Sequence, residues 1–279
     1  MRIVVALASV VLLSCSKKAA PIDGLNHHIK VMSFNVRYDN PDDGKHAWPN
    51  RKEACIALID DLKPGVFGIQ EGLEHQVTYL DSALTNYEYV GVAREDGETW
   101  GEYCALFYNK DLFEVEGSGT FWLSETPNYP SYGWDAACKR IVTWAALEND
   151  DSGHICYVFN THFDHQGKEA RKESAKLLVA AIDSIVGDTS TAVFITGDFN
   201  ALKSSAILDP IKAAYFEARE NALEKNNKST FNAWGKLPGR KIDFIFYRRA
   251  NAMSLESIHT DYGVKYISDH YPVLGTFEY

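Results

Sequence analysis

Ala192-Val193-Phe194-Ile195-Thr196-Gly197-Asp198-Phe199-Asn200 is the stretch on which the reading of this chain turns. Its apolar start, rich in β-branched and aromatic residues, reads as a buried strand. Gly197 then opens a turn that leaves Asp198 and Asn200 at the strand's end. A carboxylate stranded there is costly unless a metal or hydrogen bonds compensate it. Ser268-Asp269-His270, near the C-terminus, poses the same question.

Three more predicted strands end in polar groups. His28 to Val36 alternates with a period near two and carries Asn35 to its end. Val66-Phe67-Gly68-Ile69 delivers Gln70-Glu71, and Ile155 to Phe159 runs into Asn160-Thr161-His162-Phe163-Asp164-His165. Further strands are predicted at Tyr89 to Ala93, Tyr103 to Tyr108, Phe113 to Gly117, Ile141 to Leu147, Ile242 to Tyr247 and Tyr271 to Phe277. Helices are predicted over Arg51 to Leu62, stopped by Pro64-Gly65, over Val77 to Leu84, and near Ser205 to Ala214. Lys168 to Ile185 is the clearest helix, with Leu178, Ala181, Ile182 and Ile185 on one side and Gly187 as its stop. Phe121 to Lys139, holding Trp122, Trp134, Pro127 and Pro130, reads as a long ordered loop. Helices interleaved with many strands predict a layered α/β or α+β architecture with helical cover on both sheets.

With 279 residues and 46% hydrophobic composition the chain can build one large core. Its start is basic Met1-Arg2 and an apolar run from Ile3 to Leu13, too short to span a bilayer and matching a secretory leader over residues 1–14. Leu12-Leu13-Ser14-Cys15 resembles a bacterial lipobox, so Cys15 is expected to carry a lipid. Residues 15–27 then form a tether and residues 28–279 the catalytic domain. An outer-membrane lipoprotein on the periplasmic face is the simplest expectation, with no protein partner. The formal charge of −10 leaves no electrostatic footprint for tight, sequence-independent nucleic-acid binding, although a local basic groove stays open. Cys55, Cys104, Cys138 and Cys156 lack metal-finger spacing; they permit two disulfides in an oxidising compartment, but buried free thiols are favoured.

Strand ends carrying Asn35, Glu71, His162 and Asp198 with Asn200, joined by Asp243 and Asp269-His270, suit a hard divalent cation and phosphoryl chemistry. Asp243 is flanked by Ile242, Phe244, Ile245 and Phe246, which leaves its charge in an apolar strand. Each residue alone has a bland alternative, such as a turn, a cap or a satisfied core imidazole.

Taken in order, Ser33-Phe34-Asn35-Val36-Arg37, Ile69-Gln70-Glu71, Asn160-Thr161-His162, Gly197-Asp198-Phe199-Asn200, Ile242-Asp243-Phe244 and Ser268-Asp269-His270-Tyr271-Pro272 resemble the endonuclease/exonuclease/phosphatase superfamily from about His28 to Tyr279. The resemblance implies a four-layer αββα sandwich, two packed and mostly antiparallel sheets covered by helices, with the site at one sheet edge. It implies Glu71 as principal Mg²⁺ ligand, with Mn²⁺ as a substitute, and Asn35 and Asp269 near the same metal or its waters. Asp198 becomes the base for the attacking water, positioned with Asn200. His270, aligned by Asp243, touches the phosphate, and His162 is a phosphate contact or proton donor. Arg37, Asn160 and His165 are placed on the substrate. Arg37 departs from the pattern, standing where abasic-site endonucleases carry an acid, and its planar fork suits a phosphate oxygen. His165 and Asp164 have a second reading as caps of the helix near Gly167.

The expected activity is Mg²⁺-dependent cleavage of a phosphate ester, most readily a small or lipid-derived diester, since an anchor places the site near lipid. A secreted nuclease, a catalytically silent ligand-binding lipoprotein and a sugar-binding lipoprotein using Trp48, Trp100, Trp122 and Trp134 are the competing readings.

Overall fold

In the computed structural model, which describes residues 19–22, 24–25, 27–237 and 239–279, the run around Phe194 is an interior strand of a six-stranded sheet. The strands are β1 (His28–Asn35), β2 (Val66–Gln70), β3 (Tyr87–Val90), β4 (Leu106–Asn109), β5 (Phe113–Trp122), β6 (Ile141–Asn149), β7 (Ile155–His162), β8 (Ala192–Asp198), β9 (Phe216–Glu217), β10 (Glu224–Lys225), β11 (Asp243–Arg248), β12 (Asn251–Ser257) and β13 (Val273–Glu278). The helices are α1 (Lys52–Leu62), α2 (Glu74–Ala83), α3 (Lys168–Val186), α4 (Asp209–Ala214) and α5 (Ala218–Asn221). One sheet runs β10-β12-β13-β1-β2-β4-β3 and the other β5-β6-β7-β8-β11-β9, with most neighbours antiparallel. The parallel pairs β1 with β2 and β7 with β8 need long crossovers, and these are where α1 and α3 lie.

Burial sorts the chain into four layers. Val31, Val66, Leu106, Val158, Phe194, Ile245 and Phe277 fill the space between the sheets. Met32, Phe34, Phe67, Ile69 and Phe107 face the other way, onto Cys55, Leu58 and Ile59 of α1 and Val77 and Leu80 of α2. Phe159, Val193, Ile195, Phe244 and Phe246 pack with Ala175, Leu178 and Ile182 of α3. The αββα sandwich follows from period-two alternation in strands whose two faces are both covered.

The same alternation grades the space between the sheets. Val31 pairs with Val66, Ser33 with Gly68 and Asn35 with Gln70 along one sheet. Val158 pairs with Phe194, Asn160 with Thr196 and His162 with Asp198 along the other. Asp243 and Ile245 of β11 face Asp198 and Thr196 in register. Moving along the strands, the inner face therefore passes from hydrocarbon through hydroxyls and amides to ionisable groups. One rim of the sandwich collects the ionisable groups that these strands carry inward.

The middle layer is a hydrogen-bond knot centred on Asn160. Asn160 Nδ2 donates across the gap to Ile69 O (2.7 Å) and Ala105 O (3.1 Å), while its Oδ1 accepts from Gln70 Nε2 (2.7 Å) and Thr196 Oγ1 (3.0 Å). Gly68 makes room for it, because a Cβ there would run into the Asn160 amide and the Thr196 hydroxyl. Gly68→Ala is expected to cost about 3 kcal/mol through overpacking and broken inter-sheet hydrogen bonds. Thermal denaturation should register a drop of roughly 6–12 °C for a domain of this size.

Several boundaries differ from those predicted. β5 continues through Phe121 and Trp122, so the irregular segment starts later than Phe121. Trp48 and Trp122 are buried core residues, whereas Trp100 is 70% exposed. β12 escaped prediction because a register shift between Ala252 and Ser254 breaks its alternation. Gly187 stops α3 in the left-handed conformation as expected, but α1 ends on Lys63, itself left-handed, before Pro64 is reached. All four cysteines of the domain are free thiols, and Cys55, Cys104 and Cys156 are buried. The expected leader and Cys15 lie outside the described residues. Within the expected tether, Ala19 N donates to Asn221 Oδ1 (2.8 Å), and Ile22 exchanges hydrogen bonds of 2.9 Å with the Asn251 side chain. Among the described residues no helix is long and apolar enough to cross a membrane.

Candidate active site

The polar rim is sharpened by backbone that leaves the strands abruptly. Arg37 (φ 57°), Glu71 (φ 65°) and Asn200 (φ 46°) all occupy the left-handed region just past the ends of β1, β2 and β8. Asparagine tolerates that conformation; arginine and glutamate pay for it, and such strain gathers where side-chain aim matters. Buried Arg51, at the start of α1, holds the exits in place: its guanidinium donates to Val36 O, Arg37 O (2.7 Å) and Ile267 O (3.1 Å). Ser268 Oγ ties the C-terminal motif to Asn35 O at 2.7 Å.

Asp198 is the hub. Its Oδ1 accepts from Asn200 N (2.9 Å), and its Oδ2 accepts from Asn35 Nδ2 (3.2 Å). That same Oδ2 lies 3.5 Å from His162 Nε2 and 3.6 Å from His270 Nε2. Glu71 stands beside it, its Oε1 accepting from Asn35 Nδ2 (3.0 Å) and its Oε2 from Tyr38 N (3.2 Å). His270 Nδ1 sits 3.1 and 3.0 Å from the two oxygens of Asp243, whose own N–H is held by Thr230 Oγ1 at 3.1 Å. One ligand atom each from Glu71, His162 and Asp198 lies within 4.8 Å of the others, as do those of Asp198, Asp243 and His270.

These distances set the charges. Burial and the charge of Asp243 push Asp198 up to about 7, against the pull of His270. Burial works against an imidazolium at His270, but Asp243 and Asp198 outweigh it and hold the ring charged well above its ordinary range. His162 goes the other way: burial, then Arg140 and Arg94, push it well below its usual value. It is neutral at pH 7. Since Asn200 Nδ2 points at His162 Nε2 from 3.1 Å, that nitrogen accepts and the ring proton sits on Nδ1, which has no hydrogen-bond partner. Burial opposes the Glu71 charge, yet His270, the Asn35 amide and Arg37 keep it ionised below the usual range.

Arg37 donates through two nitrogens to Asp43 (2.9 and 3.1 Å), with Glu71 at 3.8 Å and Asp269 at 3.9 Å. Asp43, Glu71, Asp198, Asp243 and Asp269 thus face three cations, Arg37, Arg51 and charged His270, an excess of up to two negative charges in a largely buried site. Such an excess is costly unless a cation offsets it. Carboxylate oxygens at the open side suit a hard ion of the Mg²⁺ type. The residues present fit that group, with ligand atoms of Glu71 and Asp198 within 4.8 Å of each other. A further cluster, Cys138, Asp164 and His165, is already served by a cation: Arg140 Nε lies 3.3 Å from Asp164 Oδ1 and its Nη2 3.1 Å from His165 Nδ1.

The profile described as Endonuclease/Exonuclease/phosphatase family matches residues 32–270. The chain belongs to the endonuclease/exonuclease/phosphatase family. An endonuclease/exonuclease/phosphatase from Bacteroides vulgatus is 38% identical, covers 91% of this chain and 99% of its own, and superposes with a TM-score of 0.87. A mannosyl-6-phosphatase from Bacteroides thetaiotaomicron is 32% identical over 90% of this chain and 100% of its own, with a TM-score of 0.86. An uncharacterized protein of Acanthamoeba polyphaga mimivirus is 27% identical over 90% of this chain and its own full length. Members of the family are phosphoester hydrolases, and this chain is a hydrolase of that family.

Within this family member the structure draws Asn35, Glu71, His162, Asp198, Asn200, Asp243 and His270 to one rim, with Arg37 and Asp269 beside them. Two expected roles need correction. Asn160, placed on the substrate, is fully buried and spends its amide on the inter-sheet knot. Asn35, expected near the metal or its waters, presents its nitrogen to Glu71 and Asp198, while its Oδ1 accepts from Arg37 N at 3.0 Å. It aims the carboxylates instead. His165 lies off the rim's centre, its Nδ1 against Arg140. Asp43, Arg51 and Thr230 went unnoticed in the sequence; only Arg51, a charge at the head of an apolar helical stripe, left a usable signal.

Asp135, not Asp164, caps the first turn of α3, accepting from Glu169 N (3.4 Å) and Ala170 N (2.7 Å); Asp164 braces the turn ahead of it, its Oδ2 accepting from Gln166 N (3.0 Å) and Gly167 N (2.7 Å). Burial opposes its charge, but these backbone donors and Arg140 hold it down to about 2. A depressed acid contributes stability that is present above its unfolded value near 3.8 and is lost as pH falls through about 2. Denaturation of wild type and Asp164→Asn should show a constant stability gap above about pH 4 that closes toward pH 2. A gap that persists unchanged at pH 2 would contradict this.

Proposed function

We propose that this chain is a Mg²⁺-dependent phosphoesterase that drives water in line onto a phosphodiester, and that it is exported and anchored through a lipid on Cys15. The observation that carries the hydrolase reading is the convergence of Glu71, Asp198 and the Asp243–His270 pair at one rim with carboxylates in excess of cations. When bound, the divalent ion supplies Lewis-acid polarisation of a phosphate oxygen and offsets that excess.

Asp198 takes the proton of the attacking water. A value near 7 is where a general base works well at neutral pH, and Asn200 N and Asn35 Nδ2 fix the carboxylate's aim. His270, kept charged and oriented by Asp243, stabilises the charge growing on the phosphoryl oxygens. Because His162 is neutral and turns the lone pair of Nε2 toward the site, the proton-donor and phosphate-contact parts both fall to His270. Arg37 is committed to Asp43, so it helps balance Glu71 and Asp269 and approaches phosphate only by giving up that pair.

A diester brings one negative charge, a monoester two, and the cation-poor rim favours the smaller burden. The likeness to a mannosyl-6-phosphatase supports a second reading, a sugar phosphomonoester. Bis-p-nitrophenyl phosphate, p-nitrophenyl phosphate and mannose 6-phosphate, each with Mg²⁺ or Mn²⁺ and with a chelator, separate them. The first reading expects metal-dependent diester turnover at least tenfold above either monoester. Faster monoester turnover selects the second, and no metal-dependent turnover of any ester overturns both. The anchor is tested by labelled palmitate, which wild type incorporates and Cys15→Ser does not.

A further inference from the structure

The chain enters the sandwich at the pole opposite its catalytic rim. β1 runs from His28 to Asn35, and the strands that carry His162 and Asp198 likewise begin at the far pole and end at the rim. At that far pole Tyr279 N donates to His27 O (2.9 Å), and the His27 ring sits 4.4 Å from that of His154, just before β7. Upstream, Ile22 is clamped by Asn251 at the start of β12, and Ala19 is held by Asn221 at the end of α5. Asn251 itself pairs with Glu278, the residue opposite His28. Hydrogen bonds therefore fasten the chain to the far pole as early as Ala19.

We infer that a membrane anchor on Cys15 holds the catalytic rim away from the bilayer, so that the enzyme acts on water-soluble phosphoesters and not on lipids of the membrane that carries it. This rests on the hydrolase and anchor readings above. From Cys15 to Ala19 the chain reaches at most ~14 Å, four residues at full extension. The eight residues of β1 place the rim roughly 25 Å beyond the pole. Tipping the domain onto its side does not close the gap. Half the spacing between sheets plus one helix layer still separates the site from the surface by about 15 Å. A lipid-derived ester needs the rim near lipid, and this topology removes that nearness.

The test supplies the anchor chemically, so it does not depend on natural lipidation. The chain from Cys15 onward, which contains every described residue, is coupled through Cys15 to a maleimide phospholipid in vesicles, with half-buried Cys138 replaced by serine. A fluorescent non-canonical residue is placed at exposed Asp151, in the far-pole turn before β7, or at exposed Tyr129, in the loop after β5. Energy transfer to acceptor lipids should be several-fold greater from position 151 than from 129; equal or reversed transfer overturns the inference without reference to activity.

In the second arm, a nitrophenyl phosphodiester carried on a lipid headgroup should be cleaved at least tenfold more slowly in the anchoring vesicle than in detergent micelles. Inserting about 20 Gly/Ser residues after Ser16 adds roughly 25 Å of reach and should restore the rate. Cleavage in the anchoring vesicle within twofold of the micelle rate contradicts the inference. Soluble bis-p-nitrophenyl phosphate is the control: its loss in free and tethered protein alike reports failure of the hydrolase reading instead.

Discussion

Asp198→Asn lowers turnover by about 10³-fold, within the ~10²–10⁴ range of a positioned acid–base group, and leaves the protein folded. The replacement keeps shape and hydrogen-bonding capacity but removes a carboxylate that lies within 3.6 Å of both imidazoles. It also removes a charge that burial and Asp243 disfavour, so thermal stability of the metal-free protein holds or rises. The two readouts together separate chemistry from folding. Loss of turnover with a large drop in melting temperature would assign Asp198 to structure, and retained turnover would take it out of the reaction altogether. Because the His270 ring owes part of its charge to Asp198, the same variant should lower the pH at which that imidazole titrates, visible by NMR.

Glu71→Gln acts on the metal. Asn35 Nδ2 and Tyr38 N can still hydrogen-bond a glutamine oxygen, so the left-handed turn keeps part of its support. The carboxylate charge nearest the open side is gone. Apparent affinity for Mg²⁺ or Mn²⁺ should fall by more than the ~10–100-fold typical of an outer-sphere partner, with turnover partly recovered at saturating metal. Isothermal titration gives the affinity and steady-state kinetics the recovery. A wild-type affinity with depressed turnover would move Glu71 from metal holding to the chemical step.

Most of the rim was legible because alternation alone carries Asn35, His162, Asp198 and Asp243 to the inner face at strand ends. Depth along a strand is not encoded in that period. Asn160 and His162 share a face two residues apart, yet the first is sealed between the sheets and only the second borders the site. Nor does residue type reveal which end of an amide points where, which is why Asn35 serves as a donor. The left-handed turns at Arg37 and Glu71 carry no glycine to announce them, and Arg51 and Thr230 work from distant elements that only the folded chain brings near. β12 hid behind its bulge, and β9 and β10, two residues each, are too short for any pattern. Fold class came through strongly for the opposite reason: hydrophobic runs with both faces covered, separated by amphipathic helices, have few other ways to pack.

The most direct measurement is a crystal soaked in Mn²⁺ and read by anomalous scattering. One strong peak is expected at the rim, about 2.2 Å from a Glu71 carboxylate oxygen, with Asp198 and Asp269 close by. A peak at the Cys138, Asp164 and His165 cluster with none at Glu71, or no peak at all in protein that turns over substrate, would contradict this expectation.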